Sequence, residues 1–153
     1  MAVYPYFDGS CVLRYDAEAS RALGADYWRH LESYDLRLSQ RQWAHVPAGT
    51  LTDKGSVPRA AWPVVPRDGK FEQAYGLHDQ LCEYLSLTVD GKPYRISRER
   101  ADSLLYVAME VLGGTEREIA PVRAAVEANR RVLNVTEPSN TALKRELESK
   151  WVG

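Results

Sequence analysis

Short stretches near the start of the chain alternate between apolar and polar positions, which is the pattern of strands in an antiparallel sheet. Three such stretches are rich in aromatic and β-branched residues: 4–15, 27–38 and 42–46. The first contains an Asp8-Gly9 turn signal and is predicted to be a strand or a hairpin. Pro47 and Gly49 end the third stretch. We therefore predict a small antiparallel sheet of three or more strands in the N-terminal third.

Apolar positions recur at helical spacing in the rest of the chain. One helix is predicted within 70–87, and a second begins after Ser97, a good N-cap, and ends at Gly113-Gly114. Thr115 opens a third helix that extends to about residue 135, and a short charged helix is predicted over 141–151. Strands followed by helices indicate an α+β fold.

The predicted helices divide the chain into one main unit and a tail. Residues 1–136 are assigned to a single α+β domain, and residues 137–153 to a C-terminal helical tail. Leu143, Leu147 and Trp151 lie at helical spacing within that tail. We expect this apolar face to dock on the body of this protein or on a neighbouring molecule.

Composition and charge exclude several classes of protein. The chain has 153 residues, of which 44% are hydrophobic and 27% charged, and its 20 basic and 21 acidic residues leave a net charge of -1. This balance gives no long-range attraction for nucleic acid. No apolar run approaches the ~20 residues that a transmembrane helix needs, and no signal peptide begins the chain. We therefore expect synthesis in the cytoplasm, with no nucleic-acid partner and no transmembrane segment.

The two cysteines, Cys11 and Cys82, are far apart in the sequence. In a reducing cytoplasm they are predicted to be thiols packed as small hydrophobic residues. We find no second cysteine or histidine at ligand spacing near either one, so a zinc site is not expected.

Polar residues able to support chemistry are concentrated between Asp53 and Asp102. His78 and Asp79 are adjacent on a predicted helix, so their side chains diverge by roughly 100°. Asp102 lies one turn into the next helix, and antiparallel packing of the two helices would bring its carboxylate to His78. A histidine oriented by an aspartate is a general-base arrangement. Asp79 is then free to hold a hard cation such as Ca²⁺, with Asp53 and loop carbonyls as further ligands.

A structural network is an equally good interpretation of the same residues. Arg59 is expected to pair with Asp53 or Asp102, and Ser56 and His78 would complete the hydrogen bonds. The sequence alone leaves the catalytic and the structural interpretation open. His30 and His45 lie in alternating segments and are predicted to be ordinary sheet residues.

The order and spacing of these motifs resemble the DUF1353 family, small proteins of unknown function found in tailed bacteriophages and prophages. The residues that match are Val46-Pro47-Ala48-Gly49, Thr52-Asp53, Ser56-Val57-Pro58-Arg59, Trp62, Leu77-His78-Asp79, Arg100-Ala101-Asp102 and Met109. The resemblance extends from about Tyr6 to Leu112, and it marks Asp53, Ser56, Pro58, Arg59, His78, Asp79 and Asp102 as the polar signature. This chain departs from the pattern at Cys82, where a tyrosine is usual.

A fainter similarity connects His78, Asp79 and Asp102 with the helix pair of phospholipase A2. It implies Ca²⁺ bound by Asp79 and water activated by His78, although the glycine-rich calcium loop is missing. The resemblances imply three hypotheses. The first is a virion-associated protein, of the tail or another part of the particle, with a hydrolase-like His78/Asp102 site. The second is a structural or interaction module that binds other particle proteins or itself, and the third is a free cytoplasmic anti-host factor.

Overall fold

The computed structural model describes residues 3–54, 69–133 and 141–152. Its elements confirm the predicted α+β fold. The strands are β1 (Tyr6–Asp8), β2 (Leu13–Tyr15), β3 (Trp28–His30), β4 (Tyr34–Arg37), β5 (Gln42–Val46), β6 (Leu51–Thr52), β7 (Ser86–Val89) and β8 (Lys92–Arg95). The helices are α1 (Ala17–Leu23), α2 (Glu72–Tyr84), α3 (Arg98–Val111), α4 (Glu116–Leu133) and α5 (Ala142–Ser149). No helix of the described ranges is long and apolar enough to cross a membrane.

The strands form two antiparallel sheets rather than the single small sheet predicted. One has the order β1-β4-β5-β7-β8 and the other the order β2-β3-β6. The opening strands β1 and β2 therefore do not pair as a hairpin, because each joins a different sheet. The large sheet gains its last two strands from the middle of the chain, where Asp90 and Gly91 both have positive φ angles. That conformation is typical of a tight two-residue hairpin turn.

Helix α2 is the centre of the fold, since it packs on strand β5 of the large sheet and on α3. Its apolar positions Leu77 and Leu81 are buried, as are Leu104 and Leu105 of α3. Ser97 caps α3 as predicted, because its side chain accepts a hydrogen bond from the Arg100 N–H. Helix α4 also packs on α3. The polar residues of α2 and α3 are thereby placed between three helices.

The C-terminal helix α5 docks on the body of this protein through a mainly polar face. Of the predicted apolar face, Leu147 and Trp151 are half-buried, whereas Leu143 is 44% exposed and does not dock. Its neighbour Lys144 forms a buried ion pair with Glu83 of α2. Glu148 accepts the Leu51 N–H of strand β6 at 2.8 Å. The apolar spacing of α5 did not predict these polar contacts, because their partners on α2 and β6 lie far away in the sequence.

Trp151, directly after α5, lies against the turn that follows strand β5. Gly49 has a φ angle of +96°, and a methyl group there would come within 2.8 Å of the Trp151 ring. A glycine is required at this turn both for the positive φ and for the approach of the indole. Arg29 reinforces the contact, since its guanidinium donates to the carbonyl groups of Gly49 and Leu147.

Candidate functional site

The antiparallel packing of α2 and α3 brings His78 and Asp102 together. The Phe71 ring at the start of α2 lies against Gly114, just beyond the end of α3. At the other end, the Ile96 N–H donates to the Leu85 carbonyl at 3.0 Å. In this arrangement His78 Nε2 lies 2.6 Å from Asp102 Oδ1. The pairing expected from two antiparallel helices is therefore present.

Two arginines approach the same carboxylate. Arg130 Nη1, from the last turn of α4, lies 2.6 Å from Asp102 Oδ2. Arg98 Nε lies 3.6 Å from Asp102 Oδ1, a distance of charge attraction rather than of a hydrogen bond. Asp102 is 1% exposed and His78 is 3% exposed. The carboxylate is therefore a buried anion, and α2, α3 and α4 each contribute a charged group around it.

The protonation of the pair follows from these neighbours. Burial by itself lowers the pKa of His78, but the adjacent Cys82 and Asp102 reverse the effect and raise it to about 10. Burial favours the neutral form of Asp102, yet its hydrogen bonds with His78 and Arg130 hold its pKa below the usual range. At neutral pH the pair is an imidazolium bound to a carboxylate. A general base must be neutral, so His78 does not accept a proton in this state.

One ring nitrogen of His78 contacts both of its neighbours. Nε2 lies 2.6 Å from Asp102 and 3.4 Å from the sulfur of Cys82, which is one helical turn further along α2. A Cys-His-Asp catalytic triad uses the two ring nitrogens for separate partners, so the arrangement is not that of a triad. The other nitrogen, Nδ1, is buried and has no hydrogen-bond partner among the described residues. We refer to His78, Cys82, Asp102, Arg98 and Arg130 as the His78 cluster.

Asp79 belongs to a different environment from its neighbour His78. Its Oδ2 accepts the hydroxyl hydrogen of Thr52 from strand β6. The side chain is half-buried, and so is Asp53, which directly follows β6. The helix turn between adjacent residues explains the separation, since His78 faces α3 while Asp79 faces the small sheet. His78 and Asp79 therefore contact different elements of the fold.

A calcium site at Asp79 would need further carboxylate ligands. Within residues 3–54, 69–133 and 141–152, the clusters of His, Cys, Asp and Glu side chains that could hold a metal include neither Asp79 nor Asp53. Ser56 and Arg59, which the structural interpretation placed beside Asp53 or Asp102, lie outside the described residues. The arginines that approach Asp102 in the described part are Arg98 and Arg130.

His30 and His45 lie on strands β3 and β5, as predicted for sheet residues. His45 Nδ1 lies 2.6 Å from Asp35 across the sheet. His30 is 1% exposed, and neither of its ring nitrogens has a hydrogen-bond partner in the described part of the chain. Burial is the main cause that lowers the pKa of His30 to about 4, with Lys144 acting in the same direction against Asp79. His30 is therefore neutral at physiological pH.

His78, Asp79 and Asp102 line none of three surface cavities formed by described residues. A cavity of about 460 Å³ lies between α1 and the C-terminal residues. One of about 530 Å³ lies beside the β7–β8 hairpin and the start of α3, and one of about 290 Å³ lies near Gly9. These three cavities give no access to the His78 cluster.

Three members of the His78 cluster, Cys82, Arg98 and Arg130, were not predicted to belong to a site. Arg98 precedes Asp102 by four residues on α3, which is local spacing. Cys82 follows His78 by four residues, a spacing that places both on one helix face, so the sequence contained that signal. Arg130 lies 28 positions from Asp102, in a helix whose packing is not encoded in any local motif. Only the tertiary fold brings its guanidinium to the carboxylate.

Comparison with known proteins identifies the family. No curated protein and no solved structure matches the chain, and the similarity to phospholipase A2 is not supported. The family described as "Protein of unknown function (DUF1353)" matches residues 28–126. The matched region begins later than Tyr6 and continues beyond Leu112 into helix α4. Because the match covers well over half of the chain and contains His78, Asp79 and Asp102, this protein belongs to the DUF1353 family.

Proposed function

We propose that this protein is a structural component of a tailed-phage particle, and that the His78 cluster holds its helices together rather than performing catalysis. The phage assignment is supported by the resemblance of the motifs between residues 46 and 109 to proteins of tailed phages and prophages. The observation that carries the scaffold role is the buried ion pair of His78 and Asp102, to which Arg130 adds a second contact of 2.6 Å.

Buried charges are costly unless they are paired, so such a network fixes the positions of its members. Here the members come from three successive helices. A shift of α4 along α3 would remove Arg130 from the carboxylate and leave a buried anion with weaker compensation. The network therefore favours one register of the helices, which is a structural role that needs no substrate.

The partners that follow from this assignment are other particle proteins or further copies of this chain. The protein would be synthesised in the host cytoplasm and then enter the particle during assembly. Because the contacts of α5 with Glu83, Arg29 and Leu51 are made within the chain, we place the contact surface for partners elsewhere than on the inner face of α5.

Purified particles of the phage or induced prophage that encodes the chain test the assignment. Quantitative mass spectrometry should find the protein at a fixed copy number relative to the major capsid protein. A phage enzyme of the host cytoplasm serves as the control for contamination and should be depleted by the same purification. Depletion of this protein to the level of that control in infectious particles would overturn the proposal.

A hydrolase-like site is the second candidate. It is favoured by Nδ1 of His78, which has no hydrogen-bond partner among the described residues. A histidine held by a carboxylate is able to act as a general base once it has lost its proton. Hydrolysis of a panel of ester and amide substrates should be measured for the wild type and for His78→Gln at neutral and alkaline pH. Activity that is lost in the variant while its unfolding midpoint is retained would replace the scaffold role. A large stability loss without wild-type activity would support that role.

A further inference from the structure

Three chemically different metal-binding atoms meet in the His78 cluster. His78 Nε2, Cys82 Sγ and a carboxylate oxygen of Asp102 all lie within 4.8 Å of one another. All three residues are buried. His78 and Cys82 lie four residues apart on α2, and Asp102 approaches from the neighbouring helix α3.

We propose that His78, Cys82 and Asp102 form a binding site for a divalent transition-metal ion of the zinc type. Two ligands at positions i and i+4 of a helix lie on one face and are able to bind the same ion. Three protein ligands with a water at the fourth position are a common arrangement for zinc. The third ligand here comes from a second helix, so the ion would join α2 to α3.

The donor set selects the class of metal. A thiolate and an imidazole favour zinc and related transition metals, whereas calcium and magnesium prefer oxygen ligands. Ligand atoms of a tetrahedral zinc site are roughly 3.3–3.8 Å apart, given bond lengths of about 2.0–2.3 Å. The sulfur-to-Nε2 distance of 3.4 Å already meets this requirement. The 2.6 Å between Nε2 and Asp102 Oδ1 has to widen by less than about 1 Å, which side-chain rotation supplies.

The surroundings of Asp102 resemble the outer shell of a metal site. Arg130 binds Oδ2 and leaves Oδ1 as the oxygen directed at His78. Carboxylates that bind metals are usually held by such an outer hydrogen bond, which fixes their orientation. Arg130 would therefore position the ligand without touching the ion.

The ligand charges suit a dication. The ion would bind a neutral imidazole, a thiolate and a carboxylate, so the protein supplies two negative charges to it. Any protons on His78 and Cys82 pass to the solvent as the ion binds. The earlier expectation that no zinc ligands are present overlooked the four-residue spacing of His78 and Cys82.

This inference goes beyond the proposed function, because a scaffold of ion pairs needs no metal and a metal site does not require a phage particle. Different results would refute the scaffold role and the metal site. The scaffold role is tested by the stability of variants in the absence of metal, and the metal site by binding to the wild type.

Cobalt(II) titration of the full chain under reducing conditions tests the site directly. We expect a thiolate-to-cobalt charge-transfer band that saturates at one equivalent and is displaced by one equivalent of zinc. Zinc at a hundredfold excess over its dissociation constant should raise the unfolding temperature by roughly 5–10 °C. Absence of the band in the wild-type protein would overturn the proposal without reference to any variant.

The second cysteine provides a matched control. Cys11 lies outside the His78 cluster, so Cys11→Ala should retain the band and the zinc-induced rise in unfolding temperature. Cys82→Ala should lose both while its circular dichroism spectrum remains that of a folded protein. A band that persists in Cys82→Ala, or that disappears in Cys11→Ala, would overturn the assignment.

Discussion

Replacement of Asp102 by asparagine removes the buried carboxylate charge at the centre of the His78 cluster. The amide is nearly the same size as the carboxylate, so the change creates no cavity. It leaves the imidazolium of His78 and the guanidinium of Arg130 facing a neutral group at contacts of 2.6 Å. The variant therefore isolates the electrostatic contribution of the buried carboxylate from its packing.

The burial of the partners determines the size of the effect. Removal of one partner from a buried ion pair costs about 3–5 kcal/mol. The Arg98 and Arg130 side chains are 18% and 19% exposed, so water compensates part of their charge. His78 can also lose its proton, which relieves a further part. We therefore expect a loss at the lower limit, about 3 kcal/mol, which corresponds to a fall of roughly 6–12 °C in unfolding temperature for a chain of this length.

Urea unfolding followed by circular dichroism, in the presence of a chelator, measures this loss. The control is Asp90→Asn, because Asp90 forms an exposed ion pair with Arg41 and should contribute little. The free energy of unfolding should fall with urea concentration at the same slope in the wild type, Asp102→Asn and Asp90→Asn. Equal slopes would show that the unfolded states of the three proteins are comparable. A decrease of less than about 1 kcal/mol in the free energy of unfolding of Asp102→Asn would refute the scaffold role, since removal of one partner from a buried ion pair is strongly destabilising.

Three further predictions concern the contacts of α2 and α5. The pKa of His30 falls from 6.5 to about 4 on folding, so the unfolded chain takes up a proton first as the pH drops. The free energy of unfolding of the wild type should therefore decrease by up to roughly 3 kcal/mol between pH 7 and 4. Over the same pH range, the urea midpoint of the wild type should fall towards that of His30→Gln, which lacks this titration. Gly76→Ala should lower the free energy of unfolding by about 1–3 kcal/mol, measured by thermal unfolding, despite the better helix propensity of alanine. The added methyl group would lie 2.8 Å from His30 and from the Tyr34 hydroxyl. Lys144→Met should lower the free energy of unfolding by about 3 kcal/mol in chemical denaturation, since it leaves the buried Glu83 carboxylate without its ion-pair partner. Lys150→Met, at the exposed residue that directly follows α5, should leave the denaturation midpoint unchanged.

Much of the secondary structure was predictable because its causes are local. Strand β5 ends where Pro47 follows it, and α3 begins after the cap of Ser97. Helix α2 follows from its apolar spacing, which a buried helix face requires. The pairing of strands was not predictable in this way. Nothing within β1 and β2 shows that they join different sheets, because strand partners are chosen by contacts distant in the sequence.

Some features of the candidate site were likewise predictable from the sequence, and others were evident only in the fold. His78 and Asp102 could be paired from the sequence, because antiparallel packing of two successive helices brings the start of the second helix near the later turns of the first. The separation of Asp79 from His78 also follows from helix geometry, but its partner Thr52 became evident only in the fold. The docking face of α5 was predicted from apolar spacing alone. That pattern omitted Lys144, whose role depends on a glutamate 61 positions earlier in the chain.

The sequence by itself determined the α+β class, the family and the candidate pair of His78 and Asp102, because these depend on local periodicity and on the order of motifs. The tertiary structure decided the protonation and the surroundings of the site. Arg130 reaches Asp102 only because α4 packs on α3, and this contact helps to turn a histidine-aspartate pair that resembled a general base into a buried ion pair. A charge acquires its energy from its neighbours, and the neighbours of a buried group come from the whole fold.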